Sequence, residues 1–359
     1  MKQEPGPSSL LAVLSAGIGD FILAVPAIRA LRRAFPRARL TLLVSSKTFG
    51  YASLCPWADG AVVLDGASLG SPVSWPGLVR RLAALRRCRY DLALSLYEIS
   101  SFPGMVKLYA LFKLLGAART AGRNTCGRGF FFETRIPETY ASPLHQADYY
   151  AQLVRSVGGG AASPAADDLW TTPAAELAVR DYLAGLGLPP GTPLIGVNPG
   201  GARASRRWAP EKFAEAADLL SGKYGAAVVV VGGPGEERLA EEVAARMRKK
   251  PAVCAGRFDF AGSVSLLKRL RLLITTHSSL MHAANSLGTP HVALIGMSDP
   301  VRDGPYRPDP SRSAVVGAAL PGDPALRDDA LYSSSMAAIT AGQVVAAAER
   351  LLGRPGAAL

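Results

Sequence analysis

Hydrophobic residues along this chain fall in short runs that alternate with longer amphipathic stretches. In the first half, Leu10 to Leu14 and Leu92 to Leu96 have the length and apolar character of buried parallel strands. Phe21 to Ala34 instead has apolar residues at helical spacing. The same reading predicts strands at 40–44 and 61–64 and helices at 75–88 and 103–115. Strands that alternate with helices indicate a parallel sheet covered by helices.

The second half repeats this alternation after a stretch rich in Gly, Ala, Ser and Pro, Gly158 to Asp168, which is typical of a linker. It predicts strands at 194–197, 227–231, 272–274 and 291–295, and helices at 174–186, 210–224, 236–249, 280–287 and 341–352. We therefore predict an α/β protein with two Rossmann-like domains, residues 8–170 and 190–335, whose parallel sheets face a central cleft. Residues 336–359 are predicted to form a C-terminal helix and tail.

Composition narrows the class of protein. At 359 residues and 49% hydrophobic content, the chain is long and apolar enough for two folded cores, which excludes wholesale disorder. Its four cysteines are scattered without a C-x-x-C pair, which favours a reducing compartment and no structural metal. We find neither a signal peptide nor an apolar segment of about 18 residues, so we expect a cytoplasmic protein that does not span a membrane.

Positive charge is concentrated in the first half. Of the net charge of +12, residues 1–150 carry +9, from 18 Lys and Arg against 9 Asp and Glu. This predicts an anionic partner there, such as a phosphorylated glycolipid, a membrane surface or nucleic acid, although an Arg-rich solvated surface explains the charge equally well. A helix at 77–89 carries apolar leucines on one side and arginines elsewhere: Arg80, Arg81, Arg86 and Arg87. Since no nucleic-acid-binding motif accompanies the charge, nucleic acid is the least favoured partner.

The most informative segment runs from Leu272 to Gly296 and reads as strand, polar turn, helix and strand. His277, Ser278 and Ser279 lie in the turn, and Leu280 begins the helix. Such a turn places backbone N–H groups, hydroxyls and a helix N-terminus at the carboxyl edge of a sheet, where α/β proteins bind diphosphates. Alone, the segment is explained about as well by an ordinary βαβ unit with a polar loop.

Two further turns carry comparable chemistry. Asn198, Gly200 and Gly201 follow a strand, and Arg206 and Arg207 precede a helix, so a phosphate can approach the backbone and be neutralised by a guanidinium. Ser205 is a further candidate phosphate contact and Trp208 a packing or stacking residue. In the other turn, Glu236 follows Val231-Gly232-Gly233-Pro234-Gly235 and can bind ribose hydroxyls or merely cap its helix.

The N-terminal turn, Ser15 to Asp20, combines two glycines with a carboxylate. Gly17 and Gly19 permit a tight turn after the first strand, and Asp20 then lies at the start of a helix. Asp20 is a candidate general base, or simply an acid that complements the helix dipole. The spacing is not G-x-G-x-x-G, so a dinucleotide site is poorly supported. The five-residue spacing of His277 and His282 does not suit metal binding, and His291 is expected to be structural.

Taken together, these motifs resemble glycosyltransferase family nine, the ADP-heptose:lipopolysaccharide heptosyltransferases, in order from Leu11 to about Gly296. The matching segments are G-I-G-D-x5-P-A-I-R-A-L, Y-D-L-A-L-S-L, R-T-A-G, N-P-G-G…R-R-W, V-G-G-P-G-E-E and S-L-M-H-A-A-N-S-L-G-T-P-H-V-A-L-I-G. The resemblance implies a GT-B fold with an N-terminal acceptor domain and a C-terminal donor domain. It also implies inverting, metal-independent transfer of a sugar, heptose from ADP-heptose, to an anionic lipid-linked glycan such as the lipopolysaccharide core, without a cofactor and at the inner face of the cytoplasmic membrane.

The resemblance also assigns roles. Asp20 corresponds to the catalytic base, Arg206 to a lysine beside the donor phosphates, and Glu236 to a ribose-binding glutamate. The donor site is thus expected to comprise Asn198, Gly200, Gly201, Arg206, Arg207, Glu236, His277, Ser278, Ser279, Leu280 and His282. The acceptor side is expected to comprise Gly17, Gly19, Arg119 and Arg123.

One motif departs from the family. His277-Ser278-Ser279 stands where relatives have Asp-Ser/Thr-Gly, so an acid is replaced by an imidazole and a glycine by a serine. This favours two alternatives beside the heptosyltransferase: a relative that uses a different donor, or one that binds nucleotide and glycan without transfer. A third alternative is another GT-B enzyme, such as a sugar-nucleotide epimerase, which the lack of further catalytic acids disfavours.

Overall fold

A computed structural model describes residues 6–64, 75–142, 144–165, 168–201, 203–317 and 329–353 of the chain. The chain divides between Ala165 and Ala166 into two compact units, and each unit is built on one parallel sheet of six strands. The division falls within the predicted linker segment. The prediction of an α/β protein with two Rossmann-like units is therefore confirmed.

The first unit contains six strands: β1 (Ser9–Leu14), β2 (Arg39–Val44), β3 (Gly60–Val63), β4 (Leu92–Ser95), β5 (Arg119–Thr125) and β6 (Thr134–Glu138). Its helices are α1 (Ile18–Ala34), α2 (Ser46–Ala52), α3 (Trp75–Arg87), α4 (Phe102–Leu115) and α5 (Gln146–Ser156). The strand order is β3-β2-β1-β4-β5-β6. This is the doubly wound order: the chain adds strands to one side of β1 as far as β3 and then to the other side from β4 to β6. The order of the strands thus reverses between β1 and β4, and the loops after these two strands border the crevice where such sheets bind ligands.

The second unit repeats this order. Its strands are β7 (Leu194–Asn198), β8 (Ala227–Val230), β9 (Ala252–Val253), β10 (Leu272–Thr276), β11 (His291–Leu294) and β12 (Ser313–Val316). Its helices are α6 (Pro173–Ala184), α7 (Pro210–Tyr224), α8 (Glu237–Ala244), α9 (Phe260–Leu267), α10 (Ser279–Leu287), α11 (Pro300–Asp303), α12 (Asp329–Ala338) and α13 (Ala341–Leu352). The sheet runs β12-β11-β10-β7-β8-β9, so its reversal lies between β7 and β10.

Long, strongly patterned elements were predicted correctly, whereas several short ones were not. The sequence did not predict α2, β5, β6 and α5 in the first unit, nor β9, β12, α9, α11 and α12 in the second. β5 and β6 lack an apolar run because β5 contains a buried Arg123 and β6 contains Pro137. Helix α8 ends at Ala244, well before the predicted Lys249. Edge strands and short helices depend on tertiary packing, so periodicity alone does not reveal them.

The C-terminal helix belongs to the core of the second unit. Val344, Ala348 and Leu351 of α13 are buried with Trp208 in one apolar cluster. Trp208 donates a hydrogen bond from its indole Nε1 to the carbonyl oxygen of Ile339, at 3.0 Å. Trp208 therefore packs in the core, as the first of its two predicted roles states. The C-terminal helix α13 packs in the same core and does not form a separate segment.

Candidate functional site

The loops after β7 and β10 are held together by the side chain of Asn198. Its Nδ2 donates to Thr275 Oγ1 at 3.0 Å and to Ser278 Oγ at 2.8 Å. The hydroxyl of Thr276 also donates to the carbonyl oxygen of Gly200. Because β7 and β10 are parallel neighbours, the two turns share one sheet edge at the point of reversal. The structure therefore brings the predicted donor turns into direct contact.

Glu236 ties a third turn to this edge. Its Oε1 accepts a hydrogen bond from Gly201 N at 2.9 Å, and its Oε2 accepts one from Gly233 N at 2.8 Å. A Cβ at position 200 would overlap this carboxylate, so Gly200 is required for the close approach. Since each carboxylate oxygen has two acceptor positions, Glu236 retains capacity for hydroxyl donors such as those of a ribose.

Arg206 lies beside His277. Their Nη1 and Nδ1 atoms are 3.4 Å apart, and the Arg206 guanidinium carbon lies 5.1 Å from the centre of the Tyr332 ring. The Nε of Arg206 is buried and has no hydrogen-bond partner among the residues that the structure describes. Arg207 is exposed and donates from Nη2 to Gly201 O at 3.3 Å. The edge thus carries two guanidinium groups beside the turns.

The start of α10 completes the arrangement. Ser278 is the N-cap residue, but its hydroxyl contacts Asn198 and Thr275 and does not cap the helix. The first-turn N–H groups of Ser279 and Leu280 therefore do not donate to this side chain, and the positive end of the helix dipole lies beside Arg206. His282 is buried, with its ring 5.9 Å from that of His277 in an edge-to-face arrangement.

Sequence reasoning missed part of this site and misassigned one residue. Ser298 Oγ lies 3.4 Å from His277 Nδ1 and 2.9 Å from the Tyr332 hydroxyl, so Ser298 and Tyr332 support the imidazole. The hydroxyl of Ser205, a predicted phosphate contact, instead donates to Asp329 Oδ1 at 2.6 Å. Ser298 and Tyr332 lie far along the chain from His277, and neither belongs to a motif that would have signalled it.

In the first unit, Asp20 is the third residue of α1, directly after the carboxyl end of β1. Its carboxylate accepts a hydrogen bond from the backbone N–H of Gly17, so the helix-capping role is present. Gly19 lies between them in the first turn. Burial raises the pKa of Asp20, and the carboxylate of Glu98 adds to this, while the Gly17 bond and the Arg123 charge oppose it. A carboxylate with a raised pKa at the point of strand reversal is a candidate proton acceptor.

Arg123 requires a correction to the predicted acceptor side. Its guanidinium has no exposed surface and forms an ion pair with the equally buried Glu138, with Nε 3.0 Å from Glu138 Oε2. It also lies over the rings of Tyr149 and Tyr150, 4.8 and 5.5 Å from their centres. Arg123 is thus excluded from direct contact with an acceptor by burial, although its charge reaches Asp20.

Arg119 is also separated from Asp20. It begins β5, where it is exposed, and pairs with Leu92 at the start of β4. Because the sheet is parallel, the start of β5 lies at the edge opposite to the turn that carries Asp20. The sequence linked Arg119 to the acceptor through a motif, and that motif does not record which edge of the sheet the residue occupies.

His291 has the structural role that the sequence predicted. His291 is buried at the start of β11, where its Nδ1 lies 3.0 Å from Thr289 O and its Nε2 lies 3.0 Å from Ser313 Oγ. Burial lowers the pKa of this imidazole. His291 therefore joins neighbouring strands as a neutral side chain, away from the donor turns.

Comparison with known proteins gives one family. The profile of glycosyltransferase family 9 (heptosyltransferase) matches residues 79–324. The lipopolysaccharide core heptosyltransferase OpsX of Haemophilus influenzae is 23% identical over 308 residues, which cover 84% of this chain and 82% of that protein.

Solved structures agree with this match. A glycosyl transferase family 9 structure from Veillonella parvula has a TM-score of 0.78 at 25% identity and covers 98% of each chain. The Escherichia coli heptosyltransferase WaaC with ADP-2-deoxy-2-fluoro heptose has a TM-score of 0.68 at 18% identity, covering 94% of this chain and 97% of that one. The second likeness shows the fold alone, and it confirms the GT-B class. Since the family profile spans most of the chain, this protein belongs to glycosyltransferase family 9, the heptosyltransferases, and is a glycosyltransferase.

Proposed function

We propose that the protein transfers heptose from ADP-heptose to a saccharide of the lipopolysaccharide core, or a similar anionic lipid-linked glycan, with inversion at the anomeric carbon. The observation that carries this proposal is the convergence of Asn198, Gly200, Glu236 and the start of α10 at the strand reversal of the second unit. ADP-heptose is proposed as donor because a neighbour of the same fold was solved with an ADP-heptose analogue. Since such an acceptor is anchored in a membrane, we propose that the enzyme works at its cytoplasmic face.

In the proposed reaction, a hydroxyl oxygen of the acceptor forms a bond to the anomeric carbon of the donor sugar. The bond from that carbon to the diphosphate oxygen breaks, and ADP leaves with the bonding electrons. The hydroxyl proton passes to the carboxylate of Asp20, whose raised pKa makes it a stronger base than an ordinary aspartate. Attack from the face opposite to the leaving group inverts the anomeric configuration.

The leaving diphosphate carries negative charge that must be stabilised as it develops. Arg206 and the N–H groups at the start of α10 are proposed to supply this stabilisation, which makes a metal ion unnecessary. Glu236 is proposed to accept hydrogen bonds from the ribose hydroxyls through the acceptor positions that Gly201 and Gly233 leave open. No cofactor takes part in this reaction.

Replacing Arg206 with Ala is expected to weaken ADP binding by about 1.5–3 kcal/mol, because a charge-assisted contact to phosphate is lost. Isothermal titration calorimetry with ADP measures this change. Arg238→Ala is the matched control, since Arg238 is almost fully exposed on α8 and pairs only with Glu242 at 3.0 Å in the described structure. Equal ADP affinity in wild type and Arg206→Ala would remove Arg206 from the donor site.

The rate is also expected to depend on pH through Asp20. Only the ionised carboxylate accepts a proton, so kcat/KM rises with pH, and the midpoint of this rise lies above the ordinary aspartate pKa of 3.8 because burial raises the pKa of Asp20. The measurement is the pH profile of kcat/KM for the acceptor, at saturating donor. A midpoint at or below 3.8 would show that the group which accepts the proton is not the buried carboxylate of Asp20.

The contact between His277 and Arg206 favours a second candidate, a donor other than ADP-heptose. An imidazole lies 3.4 Å from the guanidinium, at the position where the family resemblance implies an acid, and an imidazole in place of a carboxylate makes the site less negative. A panel of nucleotide sugars screened by thermal shift separates the two candidates, because the true donor raises Tm by mass action. A larger shift with another nucleotide sugar than with ADP-heptose would assign that donor.

A further inference from the structure

Helix α4 exposes a face of unusual composition. The helix begins after Ser101, whose hydroxyl accepts from Gly104 N, and ends at Gly116 in the left-handed conformation. Its buried side, which includes Leu108, Leu111, Phe112 and Leu115, packs in the core of the first unit. With about 3.6 residues per turn, the opposite face presents eight exposed residues: Phe102, Pro103, Val106, Lys107, Tyr109, Ala110, Lys113 and Leu114. Six of the eight are apolar and none is acidic, which reverses the pattern of a solvated helix face.

Neighbouring aromatic residues extend this face. Phe130 stacks on Tyr109 with ring centres 6.5 Å apart, and Phe131 meets Tyr109 edge-on at 5.4 Å. The Nζ of Lys113 lies 5.6 Å from the centre of the Tyr109 ring. We call the five large exposed side chains Phe102, Val106, Tyr109, Leu114 and Phe130 the α4 patch; each is between 40% and 69% exposed. Contiguous apolar residues of this size mark an interaction surface rather than ordinary scattered exposure.

The surroundings of the α4 patch are positively charged. Arg86 of α3 donates from Nη1 to the carbonyl oxygen of Leu114 at 2.9 Å, which places α3 beside the end of α4. α3 exposes four arginines, Arg80, Arg81, Arg86 and Arg87, and contains no acid. Residues 100–135 hold six Lys and Arg against a single acid, Glu133, and of these six only Arg123 is buried. An apolar strip with a basic border is the composition that binds the surface of an anionic bilayer.

We propose that the α4 patch and the arginines of α3 together form a surface that docks onto an anionic lipid bilayer. The apolar side chains enter the boundary between headgroups and acyl chains, Lys107 and Lys113 extend towards the lipid phosphates, and the α3 arginines attract anionic headgroups. The sequence predicted only the arginines as a membrane contact; the apolar part of the surface comes from the exposed face of α4. A second copy of the chain fits less well, because a self-complementary contact would bring the same cations together.

This inference rests on the proposed function only in expecting the acceptor to lie in a membrane, and binding is tested without any acceptor. Flotation of the full-length protein with vesicles of phosphatidylcholine, with or without phosphatidylglycerol, measures partitioning. We expect binding to the anionic vesicles, which falls as salt rises, and weak binding to the neutral ones. The double variant Phe102→Ser with Val106→Ser is expected to bind the anionic vesicles at least about tenfold more weakly than the wild type, since two inserting apolar side chains are lost.

The matched control is the double variant Leu177→Ser with Leu219→Ser. These leucines are comparably exposed, at 47% and 50%, but lie on α6 and α7 of the second unit. This control should bind vesicles as the wild type does. Circular dichroism melting of each variant shows whether the fold is retained, and turnover with a soluble, lipid-free acceptor should be unchanged in the α4 variant.

Three results would overturn the proposal: equal partitioning onto neutral vesicles at low salt, unchanged partitioning of a folded α4 variant, or no vesicle binding by the wild type. If the last result came with a change of oligomeric state in the α4 variant by analytical ultracentrifugation, the occupant would be a second copy. Anionic vesicle binding by a wild type that lacks turnover would instead refute the proposed function and leave the docking surface in place.

Discussion

Replacing Asp20 with Asn is expected to lower turnover by roughly 10²–10⁴-fold, the usual effect of losing a general base. Asparagine keeps the size of the side chain and an oxygen that accepts from the Gly17 N–H, but it does not take a proton. ADP binding should stay near the wild-type value, because the residues proposed to hold the donor all lie in the second unit. Initial rates with donor and lipid-linked acceptor, together with ADP titration, measure both effects.

The free energy of unfolding of the Asp20→Asn variant shows whether its loss of activity comes from unfolding. Burial raises the pKa of Asp20 in the folded protein, so ionisation costs folding free energy as pH rises from the ordinary value through the raised one. Above that range both folded and unfolded states are ionised, and the cost is fully present. Removing the charge should therefore leave the variant at least as stable as the wild type at neutral pH.

Asp181→Asn is a suitable control, since Asp181 is exposed on α6 and pairs with its neighbour Arg180 at 3.1 Å. It should retain wild-type turnover and ADP affinity. Turnover of Asp20→Asn within about twofold of the wild type would show that another group accepts the proton. A fall in its melting temperature together with its rate would instead assign Asp20 a mainly structural role.

The second large effect concerns the buried ion pair of the first unit. Replacing Arg123 with Met is expected to lower the free energy of unfolding of that unit by about 3–5 kcal/mol, because Glu138 is left buried without its cation. The Thr125 hydroxyl, which donates to Glu138 at 2.6 Å, remains as a hydrogen-bond partner but supplies no charge. Urea unfolding with hydrogen exchange in β5 and β6 measures the change in the first unit alone.

The double variant Arg123→Met with Glu138→Leu distinguishes a lost ion pair from lost packing. Removing both charges leaves no uncompensated carboxylate, so the double variant should recover a large part of the stability that the single variant loses. Equal destabilisation of both variants would indicate that the contacts of Arg123 with Tyr149 and Tyr150 matter more than the ion pair. Because the Arg123 charge also opposes the raised pKa of Asp20, the acid limb of the pH profile should move to higher pH in either variant.

The sequence by itself determined the architecture and predicted the turns that the structure brings together in the second unit. Strong local signals, such as the apolar run of β10 followed by a polar turn and a short helix, need no distant residue to be recognised. The same holds for the glycines and carboxylate at the start of α1. Because parallel strands end at one edge of a sheet, these turns also predicted a common anion site at the second unit's edge.

Only the tertiary structure decided which of these residues meet and which are hidden. Asn198 bonds to Ser278 across 80 positions of sequence, and this contact requires the register of β7 against β10. The same dependence on strand order buries Arg123 against Glu138, places Arg119 at the opposite edge, and leaves one apolar face of α4 uncovered. Periodicity records the neighbours of a residue along the chain, whereas burial and pairing depend on which elements the fold places against it.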